Sequence, residues 1–438
     1  MSSEIALLVV LLVFLITLFA GLHISSILIL SGLVGIFLIV GINPVTFVLQ
    51  IDTFSTVAAY SLTTIPLFVL MSQFIVHSDI VKYLYSLLFI MSRGKSTILG
   101  IFTVILGGFL GAVSGSASAM SAALGQLAVP ELKKRGYGEQ FAASIAAASG
   151  SLATIIPPSI GLIIYGAITQ TSISSLFMAA ILPGVLLIVI LSVTMGIIHL
   201  KESKSIASDE TNIQSEGPEY STGKYVISII TALVIMFSIF GGIYLGVFTP
   251  TEAGGVGAVI TLIAAFLLGK VNKSFLSESI KGTLRISTMV LMIMVGATIF
   301  SRFVTLSQLP QRLIAFLEPI LDNTVLIIAI LAIIFFIAFM FLEGAAAIVM
   351  LVPITLPIAV SVGISPLEFG IIISVLGTAG LITPPVGIST YAVSGVTKIA
   401  ANGIFKYTII YAIVISIFGT LILLLFPGLI NWIPDSIS

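Results

Sequence analysis

Two proline pairs lie in apolar surroundings, Pro157-Pro158 in "IIPPSIGLIIYG" and Pro384-Pro385 in "LITPPVGISTY". Proline has no amide hydrogen and its ring clashes with the preceding turn, so each pair breaks a helix and frees carbonyl groups. At membrane depth, irregular backbone survives only where protein or a water-filled cavity satisfies it. Freed carbonyls suit a small hard cation such as Na⁺, and the N-termini of the resulting half-helices attract anions. Two further stretches carry matching chemistry. "GAVSGSASAMSAALG" (111–125) gathers Ser114, Ser116, Ser118 and Ser121 among small residues, and "FLEGAAAIV" sets Glu343 and Gly344 in an apolar run. Hydroxyls and a carboxylate add oxygen ligands. A charged carboxylate inside a bilayer costs roughly 2.5–3.5 kcal/mol, which marks it as functional. Each feature alone has a plainer reading: small residues serve tight helix packing, prolines kink helices, and a Glu pairs with a backbone amide. The occurrence of a polar tip and a proline break together, twice, favours an ion site.

The elements that must position these residues are membrane helices. Of 438 residues, 58% are hydrophobic and 8% charged, against about 25% charge in a soluble domain. Mean hydropathy is +1.28. Apolar runs of the length needed to cross about 30 Å of hydrocarbon recur along the chain. They fall near 5–22, 24–42, 62–91, 139–170, 177–199, 225–245, 247–268, 286–306, 367–397 and 404–428. The short alternating segments of an outer-membrane barrel are not the pattern here. Zero net charge offers no footprint for nucleic acid, and the lack of Cys excludes disulfides and thiolate chemistry. The run after "MSSE" follows an acid rather than a basic n-region and reads as a retained first span. Segment 272–285 mixes apolar and basic residues at helical spacing and is expected on the membrane surface.

The halves look related. Pro130 and Pro357, Gly136 and Gly363, and both prolines of the two pairs share one offset of 227 residues. The segments 97–130 and 324–359 fit re-entrant hairpins. Arg93, Lys95, Lys133, Lys134 and Arg135 flank the first, whereas 317–323 and 360–366 flank the second without a single Lys or Arg. Short cytoplasmic loops are enriched in Lys and Arg, so the second half is the first turned over. The expected fold is an all-α polytopic membrane protein: an inverted repeat of about 5+5 helices with two re-entrant hairpins. Its expected parts are scaffold 1–92, first transport-domain part 93–175, scaffold helix 176–200, cytoplasmic linker 201–224, scaffold 225–316, second transport-domain part 317–400 and C-terminal helix 401–438. Both termini are expected outside. Arg302 and Arg312 fall near the outer side, against the charge rule.

At these residues the sequence resembles the large membrane subunit of tripartite ATP-independent periplasmic (TRAP) transporters. The stretches that carry the resemblance are 111–138, 155–166, "GVFTPTEAGGVGAV" (246–259) and "ITPPVG" (382–387). The resemblance implies an elevator-type carrier in the bacterial inner membrane, driven by Na⁺ with no organic cofactor or transition metal, that takes up an organic acid such as a C4-dicarboxylate or sialic acid. It implies two partners: a separate small membrane subunit of about four helices and a periplasmic substrate-binding protein. Carried over by position, one Na⁺ site falls on Ser114, Ala153, Ile156 and Pro158. The second falls on Gly344, Thr378, Gly380 and Thr383, beside Glu343. Ser116, Ser118, Ser159, Glu343, Pro384 and Pro385 are expected to face the substrate. In "TPTEAG" (249–254), Thr251 is expected to cap a helix with Glu252 in its first turn.

Other classes fit less well. A stand-alone carrier of the same superfamily is the near rival. An intramembrane serine protease using Ser114 lacks a base, since His23, His77 and His199 sit near span ends. A channel suits a twofold inverted repeat less than alternating access does. No Walker A motif supports ATP-driven transport.

Overall fold

Helix boundaries repeat at the same 227-residue offset. Ala117–Lys134 maps onto Gly344–Ser361 end for end, and Ile24–Val40 maps onto Pro250–Leu267 within one residue. The computed structural model describes residues 3–93, 95–203 and 220–436. Among them, eight helices are long and apolar enough to cross a membrane, and six shorter apolar helices accompany them. Most of the expected linker 201–224 lies outside the described residues.

Packing obeys the same exchange. Ile24–Val40 lies against Lys273–Leu306, and its counterpart Pro250–Leu267 lies against Thr64–His77. Ile160–Thr169 packs on Gly344–Ser361, and Ile388–Thr397 packs on Ala117–Lys134. Each half therefore completes the other.

Side-chain pairs identify the two ends of the bundle. At one end Lys270 pairs with Asp79, Ser96 Oγ meets His199 Nε2 at 2.9 Å, and Tyr407 donates to Glu202. The Asp79 partner raises the Lys270 pKa. At the other end Thr64 and Thr251 hydroxyls meet at 2.7 Å, and Tyr165 donates to the Pro366 carbonyl at 2.6 Å. The first hairpin, Ser96–Ser114 with Ala117–Lys134, is rooted at the first end through Ser96. The second, Thr324–Phe341 with Gly344–Ser361, closes through Thr324 onto the Val362 carbonyl, four residues from Pro366 at the opposite end.

The two arginines that offend the charge rule are neutralised. Arg302 lies 3.5 Å from Asp52, and Arg312 lies 3.6 Å from Glu4. Each cation thus has an acid within 4 Å at the end where the rule expects few Lys or Arg.

The centre holds the helices before the two breaks. Every residue from Phe141 to Ser151 is buried, and so is every residue from Phe369 to Gly380. Helices apolar all round belong in such a core. Gly150 permits a close backbone approach: a Cβ there would sit 2.4 Å from the Ser121 amide nitrogen. Both Pro-Pro peptide bonds are cis.

Three expectations change. The run 62–91 is two helices, Thr64–His77 and Ile80–Met91, because Asp79 adopts φ 61°. The segment 272–285 is not a separate surface helix; it opens the 34-residue helix Lys273–Leu306, capped by Asn272. Thr251 is not the cap of its helix. Pro250 needs no amide partner and fits the first helical position, so the cap is Thr249, which forms a capping box with Glu252.

Candidate functional site

Four half-helices begin around one cavity. Ser116 precedes Ala117–Lys134, Ser159 precedes Ile160–Thr169, Glu343 precedes Gly344–Ser361 and Gly387 precedes Ile388–Thr397. Residues from all four starts line a cavity of about 670 Å³: Ser116, Ser159, Glu343 and Ser389 among them. Each helix start brings amides with no intrahelical partner and a partial positive charge to the cavity, an arrangement that favours negative charge.

The tips are shaped by local chemistry. Gly115 turns the first hairpin at φ 61°, a conformation open to glycine. Its Ser116 cap is loose, with the Ala119 amide 3.5 Å from Oγ, and the Ser118 hydroxyl is 3.4 Å from that of Ser116. At the second tip the Glu343 carboxylate accepts from the Ala345 amide at 3.1 Å. The Ala346 amide also bonds the carboxylate, which keeps further acceptor sites for other partners.

The two breaks touch each other. Thr154 and Thr378 hydroxyls meet at 2.6 Å, and Thr378 donates to the Ser374 carbonyl at 3.0 Å. Ser159 turns its hydroxyl back onto the Thr154 carbonyl at 2.8 Å, and Thr383 donates to Ala379 at 2.8 Å. Ser389 is fully buried, and its hydroxyl has no hydrogen-bond partner among the described residues.

Of the expected substrate contacts, Ser116, Ser118, Ser159 and Glu343 line the cavity together with Gly344. Pro384 and Pro385 are outside its lining, and Ser389 stands there instead. Ala153 is buried against the first hairpin, with its amide nitrogen 2.9 Å from where a Gly111 Cβ would lie. Ile156 and Pro158 face a separate apolar crevice of about 420 Å³. Gly380 packs on Phe339. Ser114 ends the first hairpin arm, and its side chain lies outside the described residues.

Sequence reasoning missed the opposite wall. Gln73, Gly282, Arg285, Ile286 and Met289 complete the cavity from Thr64–His77 and Lys273–Leu306. Among the described residues, Arg285 forms no ion pair with a carboxylate. Its signal was present as one of two arginines inside the helical pattern of 273–306, but its segment is expected on the surface.

Comparisons with known proteins agree. The family model for the DctM component of tripartite ATP-independent periplasmic transporters matches residues 9–429. The C4-dicarboxylate TRAP transporter large permease protein DctM of Pseudomonas aeruginosa is 31% identical over 84% of this chain and 85% of its own. The sialic acid TRAP transporter large permease protein SiaM of Vibrio cholerae is 30% identical over 78% of each chain. The isethionate TRAP transporter permease protein DctMQ of Oleidesulfovibrio alaskensis is 31% identical over 82% of this chain and 55% of its own. In fold, the YdaH transporter of Alcanivorax borkumensis superposes with a TM-score of 0.65 at 13% identity, over 88% of this chain and 90% of that one. With the family model covering nearly the whole length and the fold of a solved transporter shared, this chain belongs to the TRAP transporter family as a large permease component.

Proposed function

We propose that this protein carries an organic anion across the bacterial inner membrane, coupled to Na⁺, by an elevator movement of the two hairpins and two broken helices. The observation that carries the reading is the convergence of four helix N-termini, Arg285 and Glu343 on one cavity. The helix starts and the guanidinium hold the anion. Glu343 would repel it unless a cation intervened. A Na⁺ bound at the tips and breaks supplies that cation and makes anion affinity depend on Na⁺. Hydroxyls of Thr378, Thr383 and Ser389 and the freed carbonyls of the breaks are the oxygen donors to hand.

The relatives' names support an anionic substrate: C4-dicarboxylate, sialic acid and isethionate share a carboxylate or sulfonate. Delivery by a periplasmic binding protein and completion by a small membrane subunit follow from the family, and the DctMQ relative's greater length accords with a fused small subunit. The end bearing Lys95, Lys133 and Lys270 is read as cytoplasmic.

The test is transport in vesicles holding the permease, its small subunit and its binding protein. The acid bound by that binding protein should accumulate only with an inward Na⁺ gradient, and not when the binding protein is omitted. Equal accumulation without the gradient removes Na⁺ coupling. Full activity without the binding protein makes the chain a stand-alone carrier.

A further inference from the structure

A second cavity, of about 430 Å³, opens at the end opposite the Lys-rich one, between the helical stretch 42–57 and Lys273–Leu306. Asp52, Ser55, Ala59, Leu62, Thr298 and Arg302 are among its walls. Its position follows from the repeat. A shift of 227 positions turns Gly282, Ile286 and Met289, which wall the first cavity, into Ser55, Ala59 and Leu62, which wall the second. One wall of the outer cavity is thus the scaffold's copy of a wall of the inner one, and Ala167, Ile168 and Gln170 at the end of the first broken helix stand where hairpin tips stand in the inner cavity.

The two cavities differ in how their arginines are held. Arg285 faces the tips with no carboxylate partner among the described residues. Its shifted counterpart is Ala58, so the outer cavity obtains its cation from the facing helix as Arg302, and Asp52 neutralises it at 3.5 Å. Asp52 is largely covered, with its side chain 17% exposed, whereas Arg302 remains 47% exposed. An arginine at the outer end runs against the charge bias of membrane proteins. A neutralised arginine in a cavity that copies a binding cavity is an anion contact at rest.

We infer that the outer cavity is the anion's station in the opposite state of the carrier. The hairpin tips travel to it, and Arg302 exchanges Asp52 for the carboxylate or sulfonate of the arriving substrate. The inference rests on the elevator reading and deepens it: Arg302 receives the anion outside and Arg285 holds it inside.

The chain contains no Cys, so introduced thiols report cleanly. Two measurements on the complete transporter in membranes test the inference. The first cross-links double variants with a short flexible bismaleimide. Ile286→Cys with Ala345→Cys is the control, since both residues line the inner cavity. Ala59→Cys with Ser118→Cys is the repeat-shifted pair and is expected to cross-link when the tips reach the outer cavity; Thr298→Cys with Ser118→Cys is its substitute if the first pair fails to fold. The second compares an anionic sulfonatoethyl with a cationic trimethylammonium methanethiosulfonate reagent at Ala59→Cys. The anion-to-cation rate ratio should fall about tenfold on Arg302→Gln and rise on Asp52→Asn. Arg285→Gln should leave it unchanged. A control cross-link without the outer pairs overturns both the movement and the inference. An outer cross-link with a rate ratio indifferent to Arg302 and Asp52 overturns the inference and leaves the carrier reading standing.

Discussion

The two hairpin tips hold equivalent places in the repeat and differ in turn and in charge: Gly115 turns the first at φ 61°, whereas its counterpart Leu342 is extended at φ −112°. Ser116 and Glu343 are 227 residues apart, and each occupies the position before the second arm of its hairpin. The first is a neutral hydroxyl that caps loosely at 3.5 Å, and the second is a carboxylate that caps at 3.1 Å. Any oxygen acceptor serves as a cap, so capping does not explain why one copy bears a full charge. The difference lies in what each tip offers the cavity. A hydroxyl suits an anion, and a carboxylate demands a cation. Equivalent places in the repeat thus carry unequal chemistry, with Ser116 in one tip and Glu343 in the other.

That contrast can be broken most severely at Glu343. Glu343→Gln keeps an oxygen to accept from Ala345 but removes the charge. Uptake at limiting Na⁺ should fall about a hundredfold, matching roughly 3 kcal/mol for a charge-assisted contact. Unchanged uptake at limiting Na⁺, with the same half-saturating Na⁺ concentration, would place the coupling elsewhere. Next comes the wall that both tips face. Arg285→Gln should raise the KM for the anion about thirtyfold, from roughly 2 kcal/mol, with the Na⁺ requirement intact. An unchanged KM would show that the helix starts suffice.

A smaller effect is expected where the two halves meet. Thr378→Val keeps the shape and deletes the hydroxyl that meets Thr154 at 2.6 Å. The half-saturating Na⁺ concentration should rise about fivefold, for the roughly 1 kcal/mol of one hydrogen bond. Smallest is Ser116→Ala. Its cap is already long, so uptake should drop less than about threefold, below the ~1 kcal/mol of an ordinary cap. A Ser116 effect as large as that of Glu343 would erase the distinction between the tips.

Much of this was legible from residue types. Pro157-Pro158 and Pro384-Pro385 announced the breaks because proline cannot continue a helix in any surroundings. Glu343 announced itself because a carboxylate amid "FL" and "GAAAIV" has no solvent to pay its desolvation. Arg285 stayed hidden. Its segment carries the amphipathic, basic pattern of a surface helix, and only the continuity of Lys273–Leu306 carries it to the cavity. Thr249 was misread for its neighbour because two threonines flank Pro250, and local geometry chooses between them.

The amino-acid sequence determined what is local or periodic: the membrane class, the duplicated order of helices, the places where helices must stop and the residue types at the tips. These follow from hydrogen-bonding groups and side-chain volumes along one chain. Tertiary structure alone decided which residues from distant segments share a cavity, why Ser389 rather than the proline pair lines it, and that Asp52 restrains Arg302. Those outcomes depend on how two intertwined halves pack. That Arg285 has no carboxylate within ion-pair distance among the described residues, while Arg302 has Asp52 at 3.5 Å, is a matter of a few ångströms across helices, and sequence spacing carries no record of it.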